Sequence, residues 1–273
     1  MSTPIRILVA GAAGKMGREV VKAVAGADDC RLVAAVDPAY SAARPGEDAG
    51  VVAGCGPLDV VVEPHLSEAL QRARPDVVVD FTRPDVVMAN LRVVLAAGVA
   101  CVVGTTGLGA ADVEELRSLS TANGAPCFIA PNFAIGAVLM MLFAEKAARF
   151  MPDVEIIELH HNQKLDAPSG TAVKTAERVA AARSGQTIDR TEKVTLEGAR
   201  GGDFEGVKVH SVRLPGYVAS QEVIFGGPGQ TLVIRHDTLD RSCFMPGVLF
   251  AVRKVRETQG VTVGLENLPG FQI

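Results

Sequence analysis

The chain has 273 residues, a length for one large domain or two modest ones, and its 48% hydrophobic and 21% charged residues exclude intrinsic disorder as the main state. With 27 Lys and Arg against 31 Asp and Glu the net charge is −4, a poor basis for broad nucleic-acid binding. Many Val and Ala, 2 Tyr and no Trp speak for a buried parallel sheet rather than an aromatic platform for bases.

In chain order, Ile5–Ala10 reads as a buried strand that ends at Gly11. Residues 15–24 have helical spacing, with Met16, Val20, Val21 and Val24 on one face. Residues 31–36 form the next strand, ending at Asp37, and residues 38–58, rich in Gly, Ala and Pro, read as a long surface connection. The run DVVVDF over 76–81 is another buried strand, followed by a helix over 85–97 with Val86, Val87, Leu91, Val94 and Leu95 on its apolar side. A strand over 99–103, a helix over 111–121 and a strand over 126–130 complete the alternation. Such βαβα order with continuous apolar strands predicts a Rossmann-like, doubly wound parallel sheet covered on both faces.

The pattern changes after Asn132. A long apolar helix is expected over 133–150, a strand over 154–159 and an amphipathic helix over 169–182. Strand-like stretches follow at 193–196, 207–214, 217–225 and 231–236, separated by Gly-rich turns. This predicts a second, α+β domain on an open mixed sheet. A helix over 244–255 returns, with an apolar face for the first domain. The expected division is a dinucleotide-binding domain over 1–132, completed by 242–273, and a substrate domain over 133–241.

The five cysteines Cys30, Cys55, Cys101, Cys127 and Cys243 are scattered, with no C-x-x-C pair, which argues against a disulfide framework or a Cys-based zinc site. The segment from Met1 to Arg6 has no charged region leading into an apolar one. The longest apolar run, 133–144, is short of the roughly 20 residues a membrane span needs. The expectation is a cytoplasmic protein that engages no membrane.

Gly11, Gly14 and Gly17 (GAAGKMG) lie between the first strand and the first helix. Glycines there let the backbone approach a pyrophosphate while the helix N-terminus presents its N–H groups. Asp37 follows about 20 residues on, where a carboxylate binds a ribose diol. Pro38, not Arg, follows it, which favours NADH; Lys15 and Arg18 near the loop leave NADPH tolerated. Gly104-Thr105-Thr106-Gly107 and Phe81-Thr82-Arg83-Pro84 sit at carboxyl ends of predicted parallel strands, where they either contact the nicotinamide end or serve as ordinary strand–helix turns.

The densest chemistry is ELHHNQKLDAPSGT, 158–171. It brings His160, His161 and Lys164 beside Ser169, Gly170 and Thr171, which open a helix. An ammonium, an imidazole and bare helix N–H groups suit a small carboxylate, and an imidazole can give a proton near neutral pH. The two histidines alternate faces in extended chain, so at most one faces a ligand directly. Asp166 reads as a cap for the turn before Pro168. Asp166 and His210 could add to a metal set, but no H-x-x-x-H or H-E-x-x-H spacing exists, and no metal is expected.

The stretch ELHHNQKLDAPSGTA, with VAGAAGKMGRE, VVVDFTRPD, VVGTTG and IAPNFAIGAV in the same order, closely resembles the 4-hydroxy-tetrahydrodipicolinate (dihydrodipicolinate) reductase family over essentially the whole chain. The resemblance implies NADH- or NADPH-dependent reduction of a cyclic dicarboxylate in diaminopimelate and lysine biosynthesis. It implies His160 as proton donor and Lys164 as the second catalytic residue, with substrate contacts at His161, Gly170 and Thr171. Cofactor contacts are implied at Gly11, Gly14, Lys15, Met16, Gly17, Asp37, Gly104, Thr105, Thr106, Ala130 and Phe133. Arg241 matches a basic residue near the site. A homotetramer joined through the second domain's sheet is also implied. A related dehydrogenase of amino acids or imines would keep the Gly loop without needing DAPSGTA. A non-catalytic dinucleotide sensor would have no reason to hold His160 and Lys164 together.

Overall fold

The computed structural model describes residues 3–183, 193–271 and 273. The first two positions of the N-terminal segment considered above, Met1 and Ser2, lie outside them. The chain forms two compact units, Met1–Ala134 with Phe244–Ile273, and Ile135–Cys243.

The first unit opens with β1 (Ile5–Ala10), α1 (Lys15–Ala25) and β2 (Cys30–Val36). Then come α2 (Pro38–Ala43), α3 (Ala49–Ala53), β3 (Val62–Glu63), α4 (Leu66–Ala73) and β4 (Val77–Asp80). α5 (Pro84–Ala96), β5 (Ala100–Val103), α6 (Ala110–Asn123) and β6 (Cys127–Ile129) follow. The second unit holds α7 (Ile135–Ala148), β7 (Asp153–His160), α8 (Gly170–Ala182), β8 (Gly202–Phe204), β9 (Val207–Arg213), β10 (Ala219–Gly227) and β11 (Gln230–Thr238). The chain then returns to the first unit as α9 (Met245–Lys254) and β12 (Val261–Val263).

The first unit's sheet has seven strands in the order β12-β6-β5-β4-β1-β2-β3, all pairings parallel. Ile7, Leu8 and Val9 of β1 and Val77, Val78 and Val79 of β4 are fully buried, because helices cover both faces. Each such side chain contributes about 1.5–3 kcal/mol relative to exposure. On α5 the inward positions Val87, Leu91, Val94 and Leu95 follow helical spacing, and Pro84 occupies the first turn, where a missing N–H costs nothing. The chain runs from β1 outward through β2 to β3, then crosses to β4 on the other side of β1. That reversal puts the carboxyl ends of β1 and β4 at the topological switch point, where open α/β sheets bind ligands.

The second unit's sheet runs β11-β10-β7-β9-β8; β7 and β9 are parallel and the other pairs antiparallel, so the sheet is mixed. α7 and α8 pack together and cover one face. Cross-strand partners on that face include Ile156 with Val223 and Val209, and Glu158 with Gln221.

Several expectations are corrected. Residues 193–196 form no strand. Residues 38–58 are not a plain connection: Asp37 and Asp48 cap α2 and α3, and the Asp48 carboxylate accepts the N–H groups of Gly50, Val51, Leu58 and Val60 at 2.8–3.1 Å. The strands β3, β8 and β12 and the helix α4 were not anticipated.

Candidate active site

In the first unit the Gly-rich loop is built by close backbone approach. Gly11 has φ of +76°, and a Cβ there would lie 2.5 Å from the Phe81 carbonyl oxygen. A Cβ on Gly17 would lie 2.0 Å from the Gly11 carbonyl oxygen, so α1 can pack this tightly on the loop only without a side chain. Gly14 caps α1 with no side-chain hydrogen bond. The first N–H groups of the helix, from Lys15, Met16 and Gly17, therefore stand at the positive end of its dipole. A pyrophosphate fits this cradle. Met16 is half-buried, off the core face that Val20, Val21 and Val24 occupy.

Asp37 faces the same loop. Its carboxylate accepts the Ala13 N–H at 3.2 Å and the Tyr40 N–H at 3.1 Å. The guanidinium groups of Arg18 and Arg44 lie 6.0 and 5.8 Å from the Tyr40 ring centroid, and Arg18 donates to the Ala13 carbonyl at 2.8 Å.

The strand ends beside β1 converge as well. Phe81 abuts Gly104, and its ring lies 5.6 Å from that of Phe133, which in turn sits 6.0 Å from Phe128. Ala130 and Phe133 are buried, and the Ala130 N–H donates to the Val103 carbonyl at 3.1 Å. The Thr105 hydroxyl turns inward to the buried Asp80 carboxylate at 2.9 Å. The same carboxylate accepts from the Thr82 N–H and hydroxyl at 3.0 and 2.7 Å and from Asn90 at 2.9 Å. Thr105 thus fastens its loop, leaving backbone groups and the exposed Thr106 to meet a ligand.

In the second unit β7 delivers His160 at its last position, and the chain turns through 161–168 into α8. Ser169 caps α8, its hydroxyl accepting the Ala172 N–H at 3.2 Å, so the N–H groups of Gly170 and Thr171 open the helix. A Cβ on Gly170 would meet nothing within 4 Å, so packing inside the protein does not call for glycine there. The Lys164 ammonium pairs with both Asp166 carboxylate oxygens at 2.7 and 2.8 Å, in place of the turn cap expected of Asp166. The exposed His161 accepts the Gln163 N–H at Nδ1, 3.2 Å, which makes its Nε2 the protonated nitrogen in the neutral form. Arg241 is exposed at the start of a short 3₁₀ turn.

Beneath His160 lies a charge cluster centred on Glu158, which is fully buried. Its carboxylate contacts His160 Nδ1 and accepts both terminal nitrogens of Arg213, at 2.9 and 2.7 Å, and the Ser169 N–H at 3.3 Å. Burial pushes the Glu158 pKa up, but the hydrogen bonds from His160 and Arg213 outweigh it and bring it down to about 2. Arg213 also donates to the Asp166 carbonyl at 2.7 Å, tying in the loop that bears Lys164.

The sequence matches the profile of the dihydrodipicolinate reductase N-terminus over residues 5–133 and that of the dihydrodipicolinate reductase C-terminus over residues 136–268. The chain belongs to the dihydrodipicolinate reductase family.

Curated members are similar over nearly their full length. The 4-hydroxy-tetrahydrodipicolinate reductase of Desulfitobacterium hafniense is 51% identical over 265 residues, covering 96% of this chain and 98% of that protein. The one from Synechococcus sp. is 51% identical over 277 residues, covering 98% and 100%. The solved structure of a dipicolinate-bound dihydrodipicolinate reductase from Paenisporosarcina sp. TG-14 is 42% identical, with a TM-score of 0.86 over 97% of this chain and 99% of that one.

In the candidate site of this reductase, Glu158 and Arg213 are the two residues around His160 that sequence reasoning did not assign. Glu158 stood in the quoted segment, and the signal was its spacing: two residues before His160 on a strand puts both on one face. Arg213 gave no local signal, because only the β7–β9 register brings it opposite His160.

Proposed function

We propose that this chain reduces 4-hydroxy-tetrahydrodipicolinate, which loses water to give dihydrodipicolinate, to tetrahydrodipicolinate with NADH or NADPH, in diaminopimelate and lysine biosynthesis. The single observation that carries this reading is the cluster on the second unit: an imidazole on a buried carboxylate, an ammonium and a Ser169-capped helix N-terminus in one strand–loop–helix segment. The first unit is the dinucleotide-binding domain and the second the substrate domain.

A doubly negative ring compound suits the second unit's charges. The α8 N-terminus, with the N–H groups of Gly170 and Thr171, carries about half a positive charge and holds one carboxylate. The free side of Gly170 lets that carboxylate approach the backbone. Lys164 exchanges its Asp166 carboxylate for the substrate's and polarises the ring, with His161 Nε2 as a further donor. His160 gives a proton to the ring atom beside the carbon being reduced. Bound on the Gly loop, the reduced nicotinamide supplies the hydride.

For the cofactor the preference is NADH. Asp37, facing the Gly loop, suits an unmodified ribose diol and repels a 2′-phosphate, while Arg18 and Arg44 near Tyr40 let NADPH bind as well.

The quaternary state is a homotetramer. The second unit's sheet leaves the face opposite α7 and α8 bearing Ile157, Leu159, Val212, Ile224 and the half-exposed Val233. Five free thiols, Cys101 and Cys127 buried side by side on β5 and β6, suit the reducing cytoplasm.

The test is a coupled assay in which dihydrodipicolinate synthase supplies its product and cofactor absorbance is followed. Loss of NADH absorbance that depends on both the synthase product and this chain is expected. No loss with either cofactor contradicts the function.

A further inference from the structure

Glu158 is the one fully buried carboxylate of the second unit among the described residues, and donors from His160, Ser169, Ser211 and Arg213 converge on it. A carboxylate so enclosed stays ionised only because cationic and N–H partners surround it. Its contact with His160 Nδ1 has a chemical consequence. An imidazole lone pair cannot face an ionised carboxylate oxygen, so Nδ1 must carry the proton and donate. The neutral ring then has its lone pair on Nε2. The register places Arg213 opposite His160 on β9, and its two terminal nitrogens grip the two Glu158 oxygens in a fork, which fixes the carboxylate plane. The remaining partners reach the rest of the site: Ser169 is the cap of α8, and Arg213 holds the Asp166 carbonyl in the Lys164 loop.

We propose that Glu158 is a positioning residue for the reduction: it holds His160 with Nδ1–H donated to its carboxylate, so that Nε2 alone exchanges a proton with the substrate, and Arg213 locks the carboxylate to the Lys164 loop. This rests on His160 being the proton donor of the proposed reaction. His160 enters the step as imidazolium, with N–H at both nitrogens. Once the substrate's hydroxyl has left as water to give the dihydro ring, hydride adds to one carbon of a ring double bond, the neighbouring carbon takes the Nε2 proton, and the N–H bonding pair stays on Nε2. The ring is left as the Nδ1–H tautomer that Glu158 already accepts, so no rotation or proton shift within the ring is needed. The charged groups around His160 are Glu158 on its own strand and Arg213 on β9; Arg213 in turn holds the loop on which Lys164 and Asp166 pair with each other.

The experiment uses the full-length chain labelled with ¹⁵N in its imidazoles, the His160 signals being assigned by their loss in His160→Gln. In the wild type the neutral ring is expected to show a protonated Nδ1 and an unprotonated Nε2; the opposite tautomer overturns the proposal. In Glu158→Gln the amide can either accept from or donate to Nδ1, so the His160 signals should shift to a mixture of tautomers. Together with this, kcat should fall roughly 10- to 100-fold, while KM for substrate and for NADH stays within about twofold. A Glu158→Gln protein with wild-type kcat, or with its loss confined to KM, overturns the proposal. If that variant does not fold, the wild-type tautomer decides. A wild type that fails to reduce the substrate overturns the functional reading. An active wild type carrying Nε2–H overturns only the role of Glu158.

Discussion

At the scale of single residues, chemistry resides in partners as much as in side-chain types. Lys164→Ala removes the ammonium and leaves the Gly loop untouched, so turnover should fall about 100-fold or more with NADH KM unchanged; steady-state kinetics with the synthase product checks this, and wild-type turnover would remove Lys164 from the mechanism. Glu158 gives a prediction for stability. Its folded-state pKa of about 2 lies below the ordinary 4.5, so its stabilising contribution is complete above 4.5 and is lost as pH falls toward 2. Urea midpoints should drop through that window, by a contribution on the order of a few kcal/mol, and Glu158→Gln should flatten the drop. An equal slope in the variant would contradict the assignment. His160 and Lys164 were legible in the sequence because imidazole, ammonium and a helix opening stood within a dozen or so residues. Arg213 was not, since it meets Glu158 through a pairing 55 residues apart in sequence. Thr105 shows the reverse limit: its place beside Gly104 was readable, but the inward turn of its hydroxyl depends on Asp80 beneath it.

At the scale of elements, legibility followed length and burial. Strands β1, β4 and β5 read directly because both faces are apolar, and α1 and α5 because four inward positions repeat at helical spacing. The short strands β3, β8 and β12 carry no period to detect, whereas the equally short β6 was legible as a fully apolar run. The helices α2 and α3 start at Asp37 and Asp48, whose carboxylates accept two and four backbone N–H groups, an arrangement that composition alone reads as loop. Residues 193–196 had the composition of a strand without a neighbour to pair with it. The double duty of Asp37 shapes its test. Asp37→Ala would also remove a helix cap, worth about 1 kcal/mol; Asp37→Asn keeps the cap and removes the charge. It should raise KM for NADH several-fold more than KM for NADPH, turning the preference toward NADPH. Equal changes for the two cofactors would contradict the ribose role.

At the scale of the whole molecule, the chain leaves its first unit after Ala134 and returns at Phe244. There α9 packs on α1, and β12 extends the parallel sheet beyond β6. The alternating pattern foretold the return of a helix but not that strand. The face of the second unit's sheet opposite α7 and α8 should join copies of the chain. Sedimentation should give about four times the 28.5 kDa of one chain, and Val233→Glu should lower that mass by placing a charge on the joining face; a monomeric wild type would contradict the tetramer. The proposed reaction sends the reducing electrons straight from the reduced dinucleotide to the dicarboxylate ring. The most direct measurement supplies NADH deuterated at the transferable C4 position and weighs the reduced product by mass spectrometry. A product one mass unit heavier is expected, formed in step with NADH consumption and largely abolished by Lys164→Ala. NADH consumption that leaves the product unlabelled would contradict it.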